Sequence, residues 1–556
     1  MRTNFLFIFV SLMTASVCAA FAQAHDDLIG PPTTLLSEAQ SAYRSGKFPE
    51  AIEKFNKLIS AAPSSPDAYA GLVLVYLKEN KVDLADETVK KGLAINPSAS
   101  AMQTAAGELY FRQGKFAEAE RQFVQVINSG AKDARAYLGL ARIRSATSMY
   151  KQEKELLERA HALDAADPDV QKYWMGTLKR GERIKFLENY LAQPSNEEPS
   201  EREHLNHYLE LLREREQNSR RNCQLVSKLE STETPLRPLM LDASKVQGLG
   251  LMVSFNDHNS RLLLDTGASG LTVKKSIAEK AGIVPIVHST QGGIGDAKAM
   301  GVYLGYANSI HIGDLEFQNC LVTVTDKSLG GTEDGLIGSD VFSRYLVDID
   351  FQHQVLKLSQ LPKRPDDTAA SVSASLNTEG NSDEEHAGEQ ASQGKEEKPG
   401  DESKKLVDRG PQDRYIAPEM QGYTRILRFG HILLVPTRVS DTPARWFIID
   451  SGAALNGITP TAAREVTKVR TDYDLHIKGM SGEVNQVFSA DKAVLQFAHF
   501  RQENQDITSW DLSGISKNIG TEVSGLLGFK TLHLFDLKID YRDGLVDFGF
   551  SDKASK

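Results

Sequence analysis

Cysteine is scarce, with three residues in a chain of 556. That excludes a scaffold knit by disulfides, and no pair is spaced as CxxC or as zinc ligands. The 13 histidines form neither HExxH nor HxH, so neither a zincin nor a structural metal site is expected. Basic charge is in the minority: 64 Lys and Arg against 74 Asp and Glu give a net charge of −10. This excludes a broadly basic protein that coats nucleic acid. No cofactor fingerprint stands out, since Gly292-Gly293-Ile294-Gly295 does not fit GxGxxG. Beyond the first two dozen residues no apolar run is long enough to span a bilayer. What is present is an ordinary globular composition, 40% apolar and 25% charged, at a length that calls for two to four domains.

Residues 1–24 read as a secretory signal. Arg2 and the amino terminus supply the positive end, and Phe5 to Met13 is an apolar run of h-region length. Ala20-Phe21-Ala22 and Ala22-Gln23-Ala24 are two A-x-A cleavage candidates, and the sequence leaves open which is used. The expected address is periplasmic or secreted, with no membrane span after cleavage. Two cysteines then remain, Cys223 and Cys320, and the sequence leaves their pairing open.

From 34 to about 190 the chain repeats with a period of 34. Ala51, Ala85 and Ala119 keep that step, as do Phe55, Val89 and Phe123, and Gly46, Asn80 and Gly114. The physical logic is a pair of antiparallel helices. Small alanines permit close approach, aromatics fill the gap to the next unit, and Gly or Asn makes the left-handed turn. The pattern resembles the tetratricopeptide repeat, with three good units and a fourth whose register is expected to slip near Ser148 and Ala160. The resemblance implies a solenoid whose concave face takes a peptide or protein partner. A charged segment, 196–232, follows; Leu205, Tyr208, Leu209 and Leu212 share one face, and a capping or connecting helix is expected there.

After Pro238 the character changes to short strands with glycine-rich turns. An apolar strand runs into Asp265-Thr266-Gly267-Ala268-Ser269, and another into Asp450-Ser451-Gly452. A second motif tracks the first: Gly335-Leu336-Ile337-Gly338 in one copy and Gly525-Leu526-Leu527-Gly528 in the other. Gly335 to Asp350 and Gly525 to Asp540 are both 15 residues apart. Two motifs in the same order and spacing, repeated twice, mark a duplicated unit.

These motifs resemble the lobes of pepsin- and retropepsin-type aspartic peptidases, over roughly 240–361 and 415–551. The resemblance implies two all-β lobes after an all-α repeat domain. It also implies catalysis by Asp265 and Asp450, whose carboxyl groups share a proton and activate a water. No metal or cofactor is called for. Thr266, Gly267, Ser269, Ser451 and Gly452 are the expected supports of the dyad. Leu336, Ile337, Gly338, Leu526, Leu527 and Gly528 are expected to pack the loops. Gly292, Gly293 and Gly295, with Gly479 and Gly482, suit the tips of mobile flaps that close on an extended peptide. One departure is Ala454, where the first copy has Ser269, which leaves the second loop less well supported.

Between the lobes, 363–412 is expected to be a disordered linker. From Asp366 to Lys405 it carries 11 acidic and 4 basic residues, so 4 − 11 = −7 of the net charge lies there and the chain's acidity says little about a substrate. Such a linker permits pairing of the lobes within one chain or between two copies in a homodimer. The reading is an exported aspartic endopeptidase with a repeat domain for protein partners. Its rival is a scaffold whose lobes hold extended peptides without cutting them.

Overall fold

The computed structural model describes residues 32–218, 222–240, 246–295, 300–326, 333–365, 367 and 411–550. The expected signal, 1–24, and all but the ends of the expected linker lie outside the described residues. The chain divides into two compact units. One comprises Met1–Gly139, Ala160–Gln171 and Ala192–Glu198; the other comprises Leu140–Arg159, Lys172–Leu191 and Pro199–Lys556.

Paired helices open the fold: α1 (Pro32–Arg44), α2 (Phe48–Ala61), α3 (Pro66–Lys78), α4 (Val82–Ile95), α5 (Ser100–Arg112) and α6 (Phe116–Asn128). They continue as α7 (Ala134–Ala146), α8 (Tyr150–Leu163), α9 (Pro168–Met175) and α10 (Arg180–Leu191). Gly46, Asn80 and Gly114 turn at φ of 70°, 58° and 72°, the left-handed region that Gly and Asn reach at low cost. Packing then follows from residue size. The ring of Phe123 in α6 lies against Gly107 and Gly139, where an added Cβ would come within 2.5 and 2.2 Å of it. The ring is fully buried, which is worth on the order of 2–3 kcal/mol.

The fourth unit does not slip. Ser148 takes φ 57° and keeps the 34-residue step from Gly114. Leu157, 2% exposed, stands at the step after Phe123. Glu153 in place of the small alanine, together with a non-Gly turn residue, disguises the unit in the sequence.

The first helices of several pairs converge on one carboxylate. Asp169 of α9 accepts from Tyr43 Oη at 2.9 Å, Lys78 Nζ at 2.5 Å, Arg135 at 2.8 Å and Asn196 at 3.3 Å. Arg135 also pairs with Asp167 at 2.8 Å, and Arg44 pairs with Asp164. The acidic residues at the start of α9 and just before it thus tie several repeats together.

In the second unit α11 (Pro199–Gln217) packs with α10 through Leu187, Tyr190, Leu205, Tyr208, Leu209 and Leu212. The expected helix over 196–232 is therefore shorter. Strands β1 (Gln224–Leu225) and β2 (Ser231–Pro235) take up its second half. The reason is a Cys223–Cys320 disulfide together with pairing to later strands, neither of which helical periodicity reveals.

The first lobe continues as β3 (Arg237–Met240), β4 (Val246–Phe255), β5 (His258–Asp265), β6 (Leu271–Lys274), β7 (Pro285–Gln291) and β8 (Met300–Ile312). It ends with β9 (Leu315–Thr325), β10 (Gly335–Gly338), β11 (Tyr345–Asp350) and β12 (Val355–Gln360). The second lobe begins with β13 (Thr424–Arg425), β14 (Leu427–Phe429), β15 (Ile432–Val439), β16 (Arg445–Ile449), β17 (Gly457–Ile458) and β18 (Val469–Thr471). Then come β19 (Lys478–Gly479), β20 (Gly482–Glu483), β21 (Val487–Phe497), β22 (Phe500–Trp510), β23 (Gly525–Leu527), β24 (Asp536–Asp540) and β25 (Leu545–Gly549).

Each lobe has its own sheet, and a third sheet joins them. Its six strands run β13-β25-β24-β11-β12-β2, three from each lobe. The antiparallel pair β11–β24 at its centre sets Val347 opposite Ile539 and Asp350 opposite Asp536. A continuous apolar core spans both lobes, from Leu251 and Val253 to Phe497 and Phe548. The two ends of the linker are tied to one buried carboxylate. Asp543 accepts from Arg364 at 2.6 Å and from the Tyr415 N–H at 2.8 Å. Among the described residues no helix is long and apolar enough to cross a membrane.

Candidate active site

Strand β5 ends in Leu262-Leu263-Leu264, three buried leucines that carry the chain through the lobe and deliver Asp265 at its tip. β10 lies parallel to β5 and sets Gly338 opposite Asp265. In the second lobe Phe447-Ile448-Ile449 of β16 does the same for Asp450, and β23 is its parallel neighbour. The repeated sequence spacing thus becomes a repeated strand pairing.

The two tips meet. Each glycine lies against the other lobe's carboxylate: a Cβ on Gly267 would stand 2.8 Å from Asp450 Cγ, and one on Gly452 would stand 2.3 Å from Asp265 Cγ. Only a residue without a side chain leaves room for the carboxyl groups to face one another. The hydroxyls behind them interlock. The Thr266 N–H donates to Ser451 Oγ at 3.0 Å, and the Ser451 N–H donates to Thr266 Oγ1 at 2.9 Å. Thr266 Oγ1 donates to the Ile449 carbonyl and Ser451 Oγ to the Leu264 carbonyl, both at 2.8 Å. Thr266 and Ser451 are 0% and 1% exposed, so no water competes for these bonds.

The carboxyl groups themselves are unequal. Asp265 Oδ1 accepts from the Gly267 N–H at 2.8 Å; Asp450 Oδ1 accepts from Gly452 at 3.1 Å and Ala453 at 2.9 Å. Burial pushes both above the usual carboxylate range. Asp450 is pushed much farther, because burial is joined by the charge of Asp265 beside it. Asp265 is held back by the Gly267 N–H, by the hydrogen bond from Asp450 and by His431 nearby. The two carboxyl groups therefore titrate as one coupled pair, with Asp450 pushed higher than Asp265.

Other expected residues fall in different roles. Ser269 does not reach the dyad; its hydroxyl donates to Asp340 at 2.9 Å, and the Gly270 N–H donates to the same carboxylate at 3.0 Å. Asp340 is thus the support of the first loop. The second loop is held by Asn456, 3% exposed, which accepts from the Gly528 N–H at 3.0 Å and donates to Thr531 Oγ1 at 2.7 Å. Ala454 has no hydroxyl to offer, and its carbonyl accepts from the Lys530 N–H at 3.1 Å. Sequence reasoning missed both residues because the lobes recruit support from different segments; two polar residues close to the glycine motifs were the available signal. Ile337 and Leu527 join the main core, while Leu336 turns to the other face with Leu239 and Leu263.

The two segments expected to form flaps touch each other. The Gly293 N–H donates to Ser481 Oγ at 3.0 Å, and the Ser481 N–H donates to the Ile294 carbonyl at 3.0 Å. Gly479 and Gly295 allow this contact: Cβ atoms there would come within 2.3 Å of the Ile294 carbonyl oxygen and 2.4 Å of the Ser481 carbonyl carbon. Gly482 takes φ 90° beside the turn, and Gly292 lies at the other tip.

Comparison with known proteins agrees with this architecture. Residues 251–341 match an aspartyl protease family, and 42–109 and 104–168 match two tetratricopeptide repeat families. The chain thus combines tetratricopeptide repeats with an aspartyl protease-like domain. It is 29% identical over 148 residues to the UBA domain-containing protein Mud1 of Schizosaccharomyces pombe, covering 24% of this chain and 42% of that protein. It is 27% identical over 120 residues to DNA damage-inducible protein 1 of Kluyveromyces lactis, covering 21% of this chain and 28% of that one. The chain therefore spans less than half the length of either relative. Among solved structures, one of Pseudomonas aeruginosa pilF is similar at 20% identity and a TM-score of 0.24, over 34% of this chain and 86% of that one. A Thermobaculum terrenum O-GlcNAc transferase mutant is similar at 19% identity and 0.21, over 24% and 26%.

Proposed function

We propose that this protein is an exported aspartic endopeptidase whose single active site is assembled within one chain from Asp265 and Asp450. The observation that carries the reading is the mutual approach of the two Asp-x-Gly tips, each glycine lying against the opposite carboxyl group. In the mechanism, a water between the carboxyl groups gives its proton to Asp265 as its oxygen attacks the peptide carbonyl carbon. Asp450 donates its proton to the carbonyl oxygen. The tetrahedral adduct collapses as the C–N bond breaks, the amine nitrogen takes the proton from Asp265, and the hydroxyl proton returns to Asp450. No covalent enzyme intermediate forms. Substrate reaches the dyad when the flap tips part.

Export is supported by the sequence of residues 1–24 and by the Cys223–Cys320 disulfide, a bond that persists in oxidising compartments. The repeats supply a surface for a protein partner.

The test is cleavage of an unfolded protein by the purified mature chain across acid to neutral pH. Asp265→Asn and Asp450→Asn should each abolish cleavage while circular dichroism stays unchanged. A wild type that binds extended peptides and cuts none would replace this reading with the scaffold. Cleavage that survives Asp450→Asn would replace it with lobes that pair between copies.

A further inference from the structure

The two lobes differ on the face that looks toward the flaps. In the first lobe Gly250 pairs with Leu263, two residues before Asp265. At the matching place in the second lobe Leu434 pairs with Ile448, two residues before Asp450. Counting back two residues, Gly248 matches Ile432. Strand alternation puts all four on one face, because their neighbours Leu249, Leu251, Leu433 and Val435 belong to the main core.

Two glycines therefore stand where the other lobe has two large aliphatic side chains. In the first lobe the neighbours settle onto the bare backbone: Cβ atoms at 248 and 250 would come within 2.6 Å of Leu263 and 2.9 Å of Leu239. This stretch of wall thus has no side chains of its own at 248 and 250 and is covered by Leu263 and Leu239. In the second lobe Ile432 and Leu434 supply their own side chains at these places, and Leu434, Ile448 and Leu526 are buried.

A residue of the other lobe packs here. Leu239, Leu263 and Leu336 form a small apolar cluster apart from the main core, and the side chain packed against it is Met480. Met480 sits at the tip of the β19–β20 hairpin, next to Ser481, which ties the two flaps together. A flap residue thus fills an apolar seat beside the dyad while the flaps are closed.

Resting on the peptidase reading above, we propose that the cleft has unequal apolar subsites. The first-lobe side takes a long aliphatic side chain of methionine or leucine size from an extended peptide, in the seat that Met480 fills. The second-lobe side takes only a small one. Met480 is then a specificity-determining residue: it gives up the seat when the flaps part and caps the substrate side chain when they close.

The experiment uses the full mature chain as Asp265→Asn, which holds peptides without cutting them, and as wild type. The probes are labelled octapeptides, identical except for a central pair: Met-Ala, Ala-Met, Ala-Ala, Asp-Ala and Trp-Ala, with Ala-Trp. Binding is read by fluorescence anisotropy and cleavage by mass spectrometry. One order of Met and Ala should bind about ten-fold or more tighter than its reverse and than Ala-Ala. The matching Trp peptide should bind at least ten-fold more weakly than the Met peptide. Met480→Ala should bring that Trp-to-Met ratio below about three-fold, with an unchanged melting temperature as the check on folding. Equal binding of both orders, no measurable binding, or a ratio that Met480→Ala leaves alone overturns the inference. If wild type cleaves without such a preference, the inference falls and the peptidase reading stands. If the preference is found in binding and wild type cuts nothing, the peptidase reading falls and the subsites stand.

Discussion

Asp169 in the helical unit and Asp450 in the second lobe are buried to a similar degree, with 13% of the one side chain and 9% of the other residue exposed. Burial alone would push both carboxyl groups up and make both neutral. For Asp169 that push is outweighed by Lys78 and Arg135, which hold it well below the usual carboxylate range. For Asp450 it is reinforced by the charge of Asp265. One acid is kept ionised and serves as a structural tie. The other is pushed toward its protonated form and lies against the tip that carries a second carboxyl group. The difference teaches that partners, more than depth, decide what a buried carboxyl group does.

The most forceful way to break the comparison is to remove the like-charge pair. Asp450→Asn should lower kcat/KM by roughly 10³-fold or more, since it removes the proton donor from the dyad. Stability should move the other way. The fold favours protonated Asp450, so its contribution is complete in acid, below the ordinary carboxylate value, and fades as pH rises above it. Asp450→Asn should therefore be at least as stable as wild type at neutral pH, read by thermal unfolding.

Removing the ionised acid should do the reverse. Asp169→Ala leaves Lys78 and Arg135 without their shared counter-charge, at a cost of about 3–5 kcal/mol. Its folded value is depressed, so the stability it confers is present above the ordinary carboxylate value and is lost as pH falls below it. The variant should be destabilised at pH 7 and nearly indistinguishable from wild type in strong acid, as measured by denaturant titration at both pH values.

The lobes were far more legible in the sequence than these electrostatics. A glycine that touches a carboxylate leaves a fixed motif, and two copies of it marked the duplicated unit, while the sequence left open whether the tips pair within one chain or between two. The helical period was equally plain, because Phe123 needs a small residue facing it at every step. Asp340, Asn456 and Asp169 were invisible for the opposite reason. Each acts on groups brought to it by the fold: Asp340 on Ser269 71 positions away, Asn456 on Thr531 75 away, and Asp169 on Tyr43 126 away. The seat of Met480 was hidden likewise, since it rests on which glycines lack a counterpart in the other lobe.

A third carboxyl group sharpens the contrast between the two regimes. Asp540, at the end of β24, is 0% exposed; one oxygen accepts the Asp543 N–H at 3.0 Å, and the other has no partner among the described residues. Burial, joined by the charge of Asp543, pushes it up to about 6. The fold favours the protonated form, so this contribution is whole below the ordinary carboxylate value and is lost as pH rises through about 6. A displacement of this size is worth roughly 3 kcal/mol. Asp540→Asn should flatten the decline in stability between pH 4 and 7 without changing the dyad's pH–rate profile. A decline that persists in the variant assigns it to Asp450 instead.

The smallest effect concerns the uncharged interlock that brings the acids together. Thr266→Val keeps the shape of the side chain but strands the Ile449 carbonyl and the Ser451 N–H, both buried, at about 1–3 kcal/mol. Ser451→Ala strands the Leu264 carbonyl and the Thr266 N–H at a similar cost. Because the four bonds form one closed set, the two losses should not add. A double-mutant cycle on the unfolding free energies should give a coupling of at least about 0.5 kcal/mol. Neither single variant should change the pH dependence of stability, since hydroxyl bonds carry no titrating charge. Additive losses would mean that the tips are held by the central sheet and not by their hydroxyls. The rate should then stay near wild type in both variants, because the carboxyl groups would keep their separation without the interlock.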